Sequence, residues 1–168
     1  MLPRLEELYI WRAQCFQELG QLDKAIKEYD ALLQISPRNA GYYIDRGVIQ
    51  HSSHPEAALN DYSMALEIQS HPLAYNNRAS LLARQGNFEA AIADAQSALQ
   101  LDQKYHIAYA TLAEIYAQMG QKEQMYLNLE LAVENYFEDI LELFENPIYE
   151  AYKQEERFLD LLKKTKGN

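Results

Sequence analysis

An all-α fold of tandem helix pairs is predicted for this sequence from three observations. A set of apolar residues recurs with the same internal spacing along the chain. A second set, marked by tyrosines, precedes each copy, and glycines separate the two sets in three of the copies. Recurrence at a fixed period of roughly 20–50 residues is typical of repeat architectures.

The first recurring set predicts the second helix of each pair. It begins at Leu22, and apolar or aromatic residues follow at offsets of +3, +4, +7, +10, +11 and +13. These offsets place the side chains along one side of a helix. The same offsets return from Pro55 and from Phe88, and a weaker copy runs from Met125 to Val133. Four second helices are therefore expected.

The second recurring set predicts the first helix of each pair. Four tyrosines, spaced 34, 32 and 34 residues apart, are each followed four residues later by a small residue; the pairs are Tyr9 and Ala13, Tyr43 and Gly47, Tyr75 and Ala79, and Tyr109 and Ala113. Gly20, Gly86 and Gly120 fall where a left-handed residue would end the first helix. Because two short helices cannot cover each other's apolar faces, each pair is expected to stack on the next.

This order of a bulky aromatic residue, a small residue, a glycine turn, alanine, an aromatic residue and alanine resembles the tetratricopeptide repeat. The resemblance implies a right-handed α-α superhelix, or solenoid, of four helix pairs followed by C-terminal capping helices. It also implies one domain over residues 1–168, with repeats at about 6–39, 40–71, 72–105 and 106–139 and a capping segment at 140–168.

The C-terminal tail resembles the ending of many bacterial tetratricopeptide proteins. In those tails an Asn-Pro or Asp-Pro break precedes a helix with an Arg-Phe-x-x-Leu-Leu pattern, which corresponds here to Pro147 followed by the segment Arg157, Phe158, Leu161 and Leu162. The helix is expected to cover the exposed end of repeat four, because the terminal face of a solenoid has no neighbouring repeat.

Charge and composition restrict the class of partner. The chain has 15 Lys plus Arg against 25 Asp plus Glu, and its formal net charge is −10. Such a field repels nucleic acid and attracts a basic protein, although acidity also serves solubility alone. No run of 18 apolar residues suggests a membrane span. With Cys15 as the single cysteine and no signal peptide, a cytoplasmic location is predicted.

No enzymatic activity is expected. The sequence has no glycine-rich phosphate loop, no Gly-x-Ser-x-Gly and no His-Glu-x-x-His. His51 and His54 could face one side of a turn, but a metal site requires more ligands than this pair provides. Cys15 has no nearby histidine in sequence to activate it. Catalytic residues, cofactors and bound metals are therefore not predicted.

The resemblance implies that the first helices line a concave groove that holds the ligand. Trp11 is expected to anchor a partner, with Ile44 and Val48 extending an apolar patch, and Asn76 and Asn77 are expected to bind a peptide backbone. The alternative for Trp11 is packing as an N-terminal cap. The predicted groove residues are Ile10, Trp11, Gln14, Ile44, Asp45, Val48, Asn76, Asn77, Ser80, Arg84, Thr111 and Glu114.

The resemblance also identifies a ligand that this chain should not bind. In the family, an acidic chaperone tail with a free carboxylate is held by lysine, arginine and asparagine side chains. The matching positions here contain no basic residue and are occupied by Ile10, Gln14, Asp45, Leu73 and Asn77. An acidic chaperone C-terminal tail is therefore excluded as a predicted partner.

Three functional hypotheses remain. The first is a non-enzymatic protein–protein interaction module, an adaptor or scaffold, that binds a peptide or helix of a partner in its groove. The second is a stoichiometric inhibitor, immunity-type or chaperone-like protein that holds a basic folded partner, as the charge of −10 suggests. The third is a structural array that self-associates through one end or through the Trp11 patch. The predicted oligomeric state is a monomer or a weak self-association.

Overall fold

The computed structural model describes residues 5–135 and 141–166. Within these ranges every regular element is a helix, which confirms the all-α prediction. Eight helices follow one another in pairs: α1 (Leu5–Glu18) and α2 (Leu22–Ile35), α3 (Ala40–Gln50) and α4 (Pro55–Ile68), α5 (Pro72–Arg84) and α6 (Phe88–Leu101), and α7 (His106–Gln118) and α8 (Lys122–Asn135). Three further helices complete the described chain: α9 (Leu141–Glu145), a 3-10 helix (Pro147–Tyr152) and α10 (Glu156–Lys166).

The chain divides into two compact units, Met1–Leu81 and Leu82–Asn168. In the first unit, α1 packs on α2, α2 on α3 and α3 on α4. In the second unit, α6 packs on α7 and α7 on α8, and α10 packs on both α8 and α9. Within each unit, a helix pair is thus stacked on its neighbour, as solenoid proteins require.

The helix starts follow the sequence pattern closely. The helices α2, α4 and α6 begin at Leu22, Pro55 and Phe88, where the recurring apolar offsets begin. The turns before α2, α6 and α8 contain the expected left-handed glycines, with φ of +68° at Gly20, +79° at Gly86 and +69° at Gly120. A side chain at these positions would be strained, because left-handed backbone disfavours residues with a Cβ atom.

Small residues allow the helices of a pair to approach closely. Ala13 and Ala25 are fully buried in one core cluster of the first unit, and Ala58 and Ala65 are fully buried in another. At Gly47 of α3 an added Cβ would lie 2.7 Å from a ring carbon of Tyr62, closer than an ordinary van der Waals contact. The Tyr62 side chain is itself fully buried.

Arg46 connects three helices of the first unit. Its Nε and Nη2 donate to the two carboxylate oxygens of Asp61 on α4, at 2.8 and 2.6 Å. Its Nη1 donates to Asp30 on α2 at 2.6 Å. Asp61 is 1% exposed, and its hydrogen bonds raise the pKa of Arg46. A charged group this deeply buried requires such a partner, because desolvating it alone is costly.

The C-terminal helices cover the end of the second unit, which confirms the predicted cap. Phe158 and Leu161 of α10 are buried in a core cluster with Tyr126 and Leu129 of α8. Arg157 adds hydrogen bonds of 2.9 Å to two glutamates of α8, Glu123 and Glu130. Residues 136–140 and 167–168 lie outside the described ranges. The single domain over residues 1–168 and its repeat boundaries stay predictions.

Replacing Gly47 with alanine tests the close approach of α3 and α4. The new methyl group would overlap the buried Tyr62 ring, so we expect a loss of about 1–3 kcal/mol in unfolding free energy. Urea unfolding followed by circular dichroism measures the change. An unchanged or higher stability would show that the Tyr62 ring can move aside.

Replacing Asp61 with alanine tests the Arg46 link. Because the change leaves a largely buried guanidinium with one partner fewer, the expected loss is about 3 kcal/mol or more in unfolding free energy. The matched control is Asp160→Ala, which removes an exposed pair with Lys163 and should leave the urea midpoint unchanged. Equal effects of the two substitutions would contradict a structural role for the buried pair.

Candidate functional site

The predicted groove residues fall into three rows on the first helices. Counted from Tyr9, Tyr43, Tyr75 and Tyr109, the inner row lies one residue further on, the middle row two, and the outer row five. The inner row comprises Ile10, Ile44 and Asn76; the middle row Trp11, Asp45, Asn77 and Thr111; and the outer row Gln14, Val48, Ser80 and Glu114. Arg84, four residues beyond Ser80, is exposed.

The structure places the inner row largely in the core. Ile44 is 5% exposed and lies in a core cluster with residues from α4 and α5. Asn76 is 4% exposed, and Ile10 packs against a core cluster of the same unit. A partner lying on the surface therefore has little access to this row, and we leave it out of the proposed binding surface.

In the first two repeats, the middle and outer rows are open to solvent. Trp11 is 56% exposed and Val48 44% exposed. Gln14 and Asp45 are also exposed, and the Asp45 carboxylate is hydrogen-bonded to the hydroxyl of Tyr29 on α2. These rows thus combine large apolar side chains with polar groups, the mixture that protein interfaces use.

Asn77 already takes part in an internal hydrogen bond. Its Nδ2 donates to the hydroxyl of Tyr62 at 3.3 Å, and Nδ1 of His51 lies 3.3 Å from the same oxygen. Burial raises the pKa of Tyr62 to about 12, and the bond from Asn77 opposes this shift. This bond fixes the orientation of the Asn77 amide, and a peptide could be bound only by the second Nδ2 hydrogen or by Oδ1 unless it displaced Tyr62.

In the second unit, the predicted residues are less accessible. Thr111 is 8% exposed, and Glu114 is half-buried. Asn146, which caps the 3-10 helix, donates from Nδ2 to Glu114 Oε1 at 2.8 Å. Burial raises the pKa of Glu114, while this hydrogen bond lowers it. Glu114 therefore links α7 to the C-terminal cap and is not a free groove carboxylate.

A row of arginines recurs along the first helices and was not among the predicted site residues, although its regular spacing is visible in the sequence. The residue three positions after the marker tyrosine is an arginine in three repeats, and each guanidinium carbon lies over its tyrosine ring, at 4.9, 5.7 and 5.9 Å for Arg12, Arg46 and Arg78. Arg12 and Arg46 also form ion pairs with Glu28 and Asp61, which lie three residues after Ala25 and Ala58 of the second helices.

Repeat four lacks this pair. It has Leu112 at the position of the arginine and Asn128 at the position of the acid.

The described residues do not assemble a metal site. In residues 5–135 and 141–166 no group of three or more His, Cys, Asp or Glu is close enough together to hold a metal ion. His51 lies against Tyr62, and His54 Nδ1 lies 2.9 Å from Ser53 Oγ. None of the helices in the described part of the chain is long and apolar enough to cross a membrane.

Comparison with protein families identifies the repeats. Models described as "Tetratricopeptide repeat" match residues 72–105 and 106–139. A model described as "TPR repeat" matches residues 14–53. The chain belongs to the tetratricopeptide repeat family. Together with the stacked helix pairs, this membership makes it a protein–protein interaction module, the general and non-enzymatic role of the family.

Solved structures share the fold of this tetratricopeptide repeat protein. MamA is 20% identical, with 95% of this chain and 89% of that chain covered and a TM-score of 0.76. PilW, described as a widely conserved type IV pilus biogenesis factor, is 21% identical, with 98% and 78% covered and a TM-score of 0.79. YrrB, described as a TPR protein with an unusual peptide-binding site, is 19% identical, with 94% and 82% covered and a TM-score of 0.67. No curated protein matches the sequence.

Burial of Glu114 predicts that the stability of the protein depends on pH. Because burial raises its pKa above the ordinary value of 4.5, the folded state binds more protons than the unfolded state from about pH 4.5 upwards. Stability conferred by the protonated carboxyl is therefore lost as the pH rises through this window. Glu114→Gln keeps an oxygen that can accept from Asn146, and we expect it to raise the melting temperature relative to wild type more at pH 7 than at pH 4.

The matched control for this prediction is Glu142→Gln, at an exposed position of α9. We expect the control to change the melting temperature equally at the two pH values. If Glu114→Gln also behaves in this way, burial of the carboxyl does not destabilise its charged form.

Proposed function

We propose that this tetratricopeptide repeat protein is an adaptor or scaffold that binds an extended segment or a helix of a partner protein along the middle and outer rows of its first unit. The exposure of Trp11 and Val48 carries the proposal. Large apolar side chains on a surface lose unfavourable contact with water when a partner covers them. Tryptophan is also among the residues that contribute most binding energy in protein interfaces.

The polar groups beside these two side chains suggest which segment would bind. Gln14 offers both a donor and an acceptor for a peptide backbone, and Asp45 adds a negative charge. The whole chain has a net charge of −10, which attracts basic segments over a distance set by ionic strength. The proposed ligand is therefore an apolar segment with flanking Lys or Arg, and not an acidic chaperone tail, nucleic acid or a membrane.

The known relatives are compatible with a peptide ligand. The description of YrrB names a peptide-binding site in a protein of the same fold. A folded basic domain held in the manner of an inhibitor or a chaperone is the second candidate, and the acidic charge favours it. Affinity for a folded basic domain would fall steeply with salt, whereas affinity for a segment held by Trp11 and Val48 would change less. We propose a cytoplasmic location for either role.

Replacing Val48 with lysine tests the proposed surface. The change puts a charge in the apolar part of the surface. The variant should therefore fail to capture a partner that the wild-type protein captures from a lysate of the source organism. Leu127→Lys is the matched control, because Leu127 is 47% exposed on α8 and belongs to none of the rows. A partner retained by the Val48 variant, with its melting temperature unchanged, would remove the first-unit rows from the binding site.

A further inference from the structure

A second apolar surface lies on α1 and the turn after it. Leu5 is 59% exposed, Leu8 43% and Leu19 67%, and Cys15 is exposed as well. Spacings of three, four and seven residues align these side chains along one side of the helix. We call these four residues the N-terminal face; Trp11 lies at its edge.

The other repeats show that two positions of this face are normally buried. The residues that correspond to Leu8, one before the marker tyrosine, are Tyr42, Ala74 and Ala108, which are 9%, 0% and 0% exposed. The residues that correspond to Cys15, six after the tyrosine, are Ile49, Leu81 and Ile115, which are 6%, 2% and 0% exposed. Only in the first repeat do both positions face solvent.

The element that buries these positions is the second helix of the preceding pair. Tyr42 and Ile49 of α3 lie in a core cluster with Tyr29 and Leu32 of α2. In the same way, Ala74 and Leu81 of α5 lie in a core cluster with residues of α4, which are Ala58, Tyr62 and Ala65. The N-terminal face is therefore shaped to pack against a helix that resembles α2 or α4.

The arginine row defines a polar contact that such a helix would make. Two arginines of the row each donate to the second helix of the preceding pair. Arg46 Nη1 donates to Asp30 of α2 at 2.6 Å, and Arg78 Nη1 donates to Ser63 of α4 at 3.3 Å. Asp30 and Ser63 occupy the same place, five residues after Ala25 and Ala58. Arg12 uses Nε and Nη2 for Glu28 of its own pair, and its Nη1 donates to none of the described residues.

We propose that the N-terminal face binds an amphipathic helix of another protein, in the position that α2 takes on α3. The helix presents apolar or aromatic side chains to Leu8 and Cys15 and a carboxylate or hydroxyl to Arg12 Nη1. The helices α2 and α4 share this arrangement, since each has a tyrosine directly before the acceptor and a leucine three residues after it. The partner is thus defined by an apolar stripe with one acceptor at its centre.

A second copy of this chain fits the face less well. In a two-fold pair each residue near the axis meets its own counterpart. Because Arg12 lies midway along the face, its outer donor group would meet another donor. Head-to-tail stacking would place α1 of one copy against α8 of the next, but α10 already occupies that side of α8: Phe158 and Leu161 are buried there and Arg157 donates to Glu130. Neither arrangement reproduces the contact that Arg46 makes with Asp30.

This proposal is independent of the partner segment proposed for the middle and outer rows. The two surfaces share only Trp11, whose side chain borders both. Substitutions at Leu8 and at Val48 therefore separate them. A Leu8 variant that loses helix binding while keeping the partner of the rows, or the converse for Val48, would identify two distinct sites.

The full 168-residue chain can be tested with two synthetic helices. One peptide copies Leu22–Ile35 with a staple joining positions 23 and 27, which are both exposed in α2, and the other copies Pro55–Ile68. Trp11 is the sole tryptophan, and neither peptide contains one, so its emission reports on the edge that the face shares with the rows, and the chemical shifts of α1 identify the face itself. We expect a blue shift on titration to millimolar peptide, with amide chemical-shift changes in α1 around Leu8 and Cys15.

Two variants of the protein and one of the peptide test the contact. Leu8→Lys should weaken binding by roughly tenfold or more, since docking would bury its charge, whereas Leu127→Lys should bind as wild type does. An Asp30→Lys change in the first peptide should weaken binding because it places a like charge against Arg12. Circular dichroism of Leu8→Lys confirms that the fold is retained.

Two outcomes would overturn the proposal. One is the absence of any Trp11 shift or α1 chemical-shift change with either peptide at millimolar concentration. The other is a dimer in sedimentation experiments that Leu8→Lys dissociates, because that result would assign the face to a second copy of the chain. A monomer whose face binds the peptides and loses them in Leu8→Lys is the expected result.

Discussion

Stacking of one helix pair on the next is the constraint on which this structure depends. The first helix α3 has residues that its own second helix cannot cover, Tyr42 and Ile49, and the preceding second helix α2 buries them. Arg46 reinforces the same contact, because it joins Asp61 of its own pair to Asp30 of the pair before. Packing and ion pairing therefore act between the same neighbours, and the repeat is the unit of both.

The two ends of the chain meet this constraint differently. At the end of α8, Arg157 of α10 donates to Glu130, whose place in its repeat corresponds to that of Asp30, and Phe158 and Leu161 enter the core. The cap thus supplies the contacts that the first helix of a further repeat would supply. At α1, the described residues supply no such cover for Leu8 and Cys15. The exposed side of α1 is therefore where we propose that a partner helix joins the stack.

The candidate site was only partly predictable. Trp11, Gln14, Asp45 and Val48 are exposed, as a groove requires. Ile44 and Thr111, however, are buried. Residues next to each other on a helix differ by about 100° in direction, so the one-position difference between Ile44 and Asp45 decides which of them meets solvent. Thr111 shares a row with Asp45 and is nevertheless buried in the second unit. The sequence places a residue on a helix, but the packing angle of that helix determines which row becomes the surface.

The sequence by itself determined the helices and their order, because the apolar spacing recurs in all four repeats and the turn glycine in three of them, and both are local signals. It also contained the arginine row, whose partners only became clear in three dimensions. The tertiary structure decided that Asn77 supports Tyr62, that Glu114 holds Asn146, and that Leu8 is uncovered. These facts depend on which residues distant in sequence meet, and no local pattern specifies such contacts.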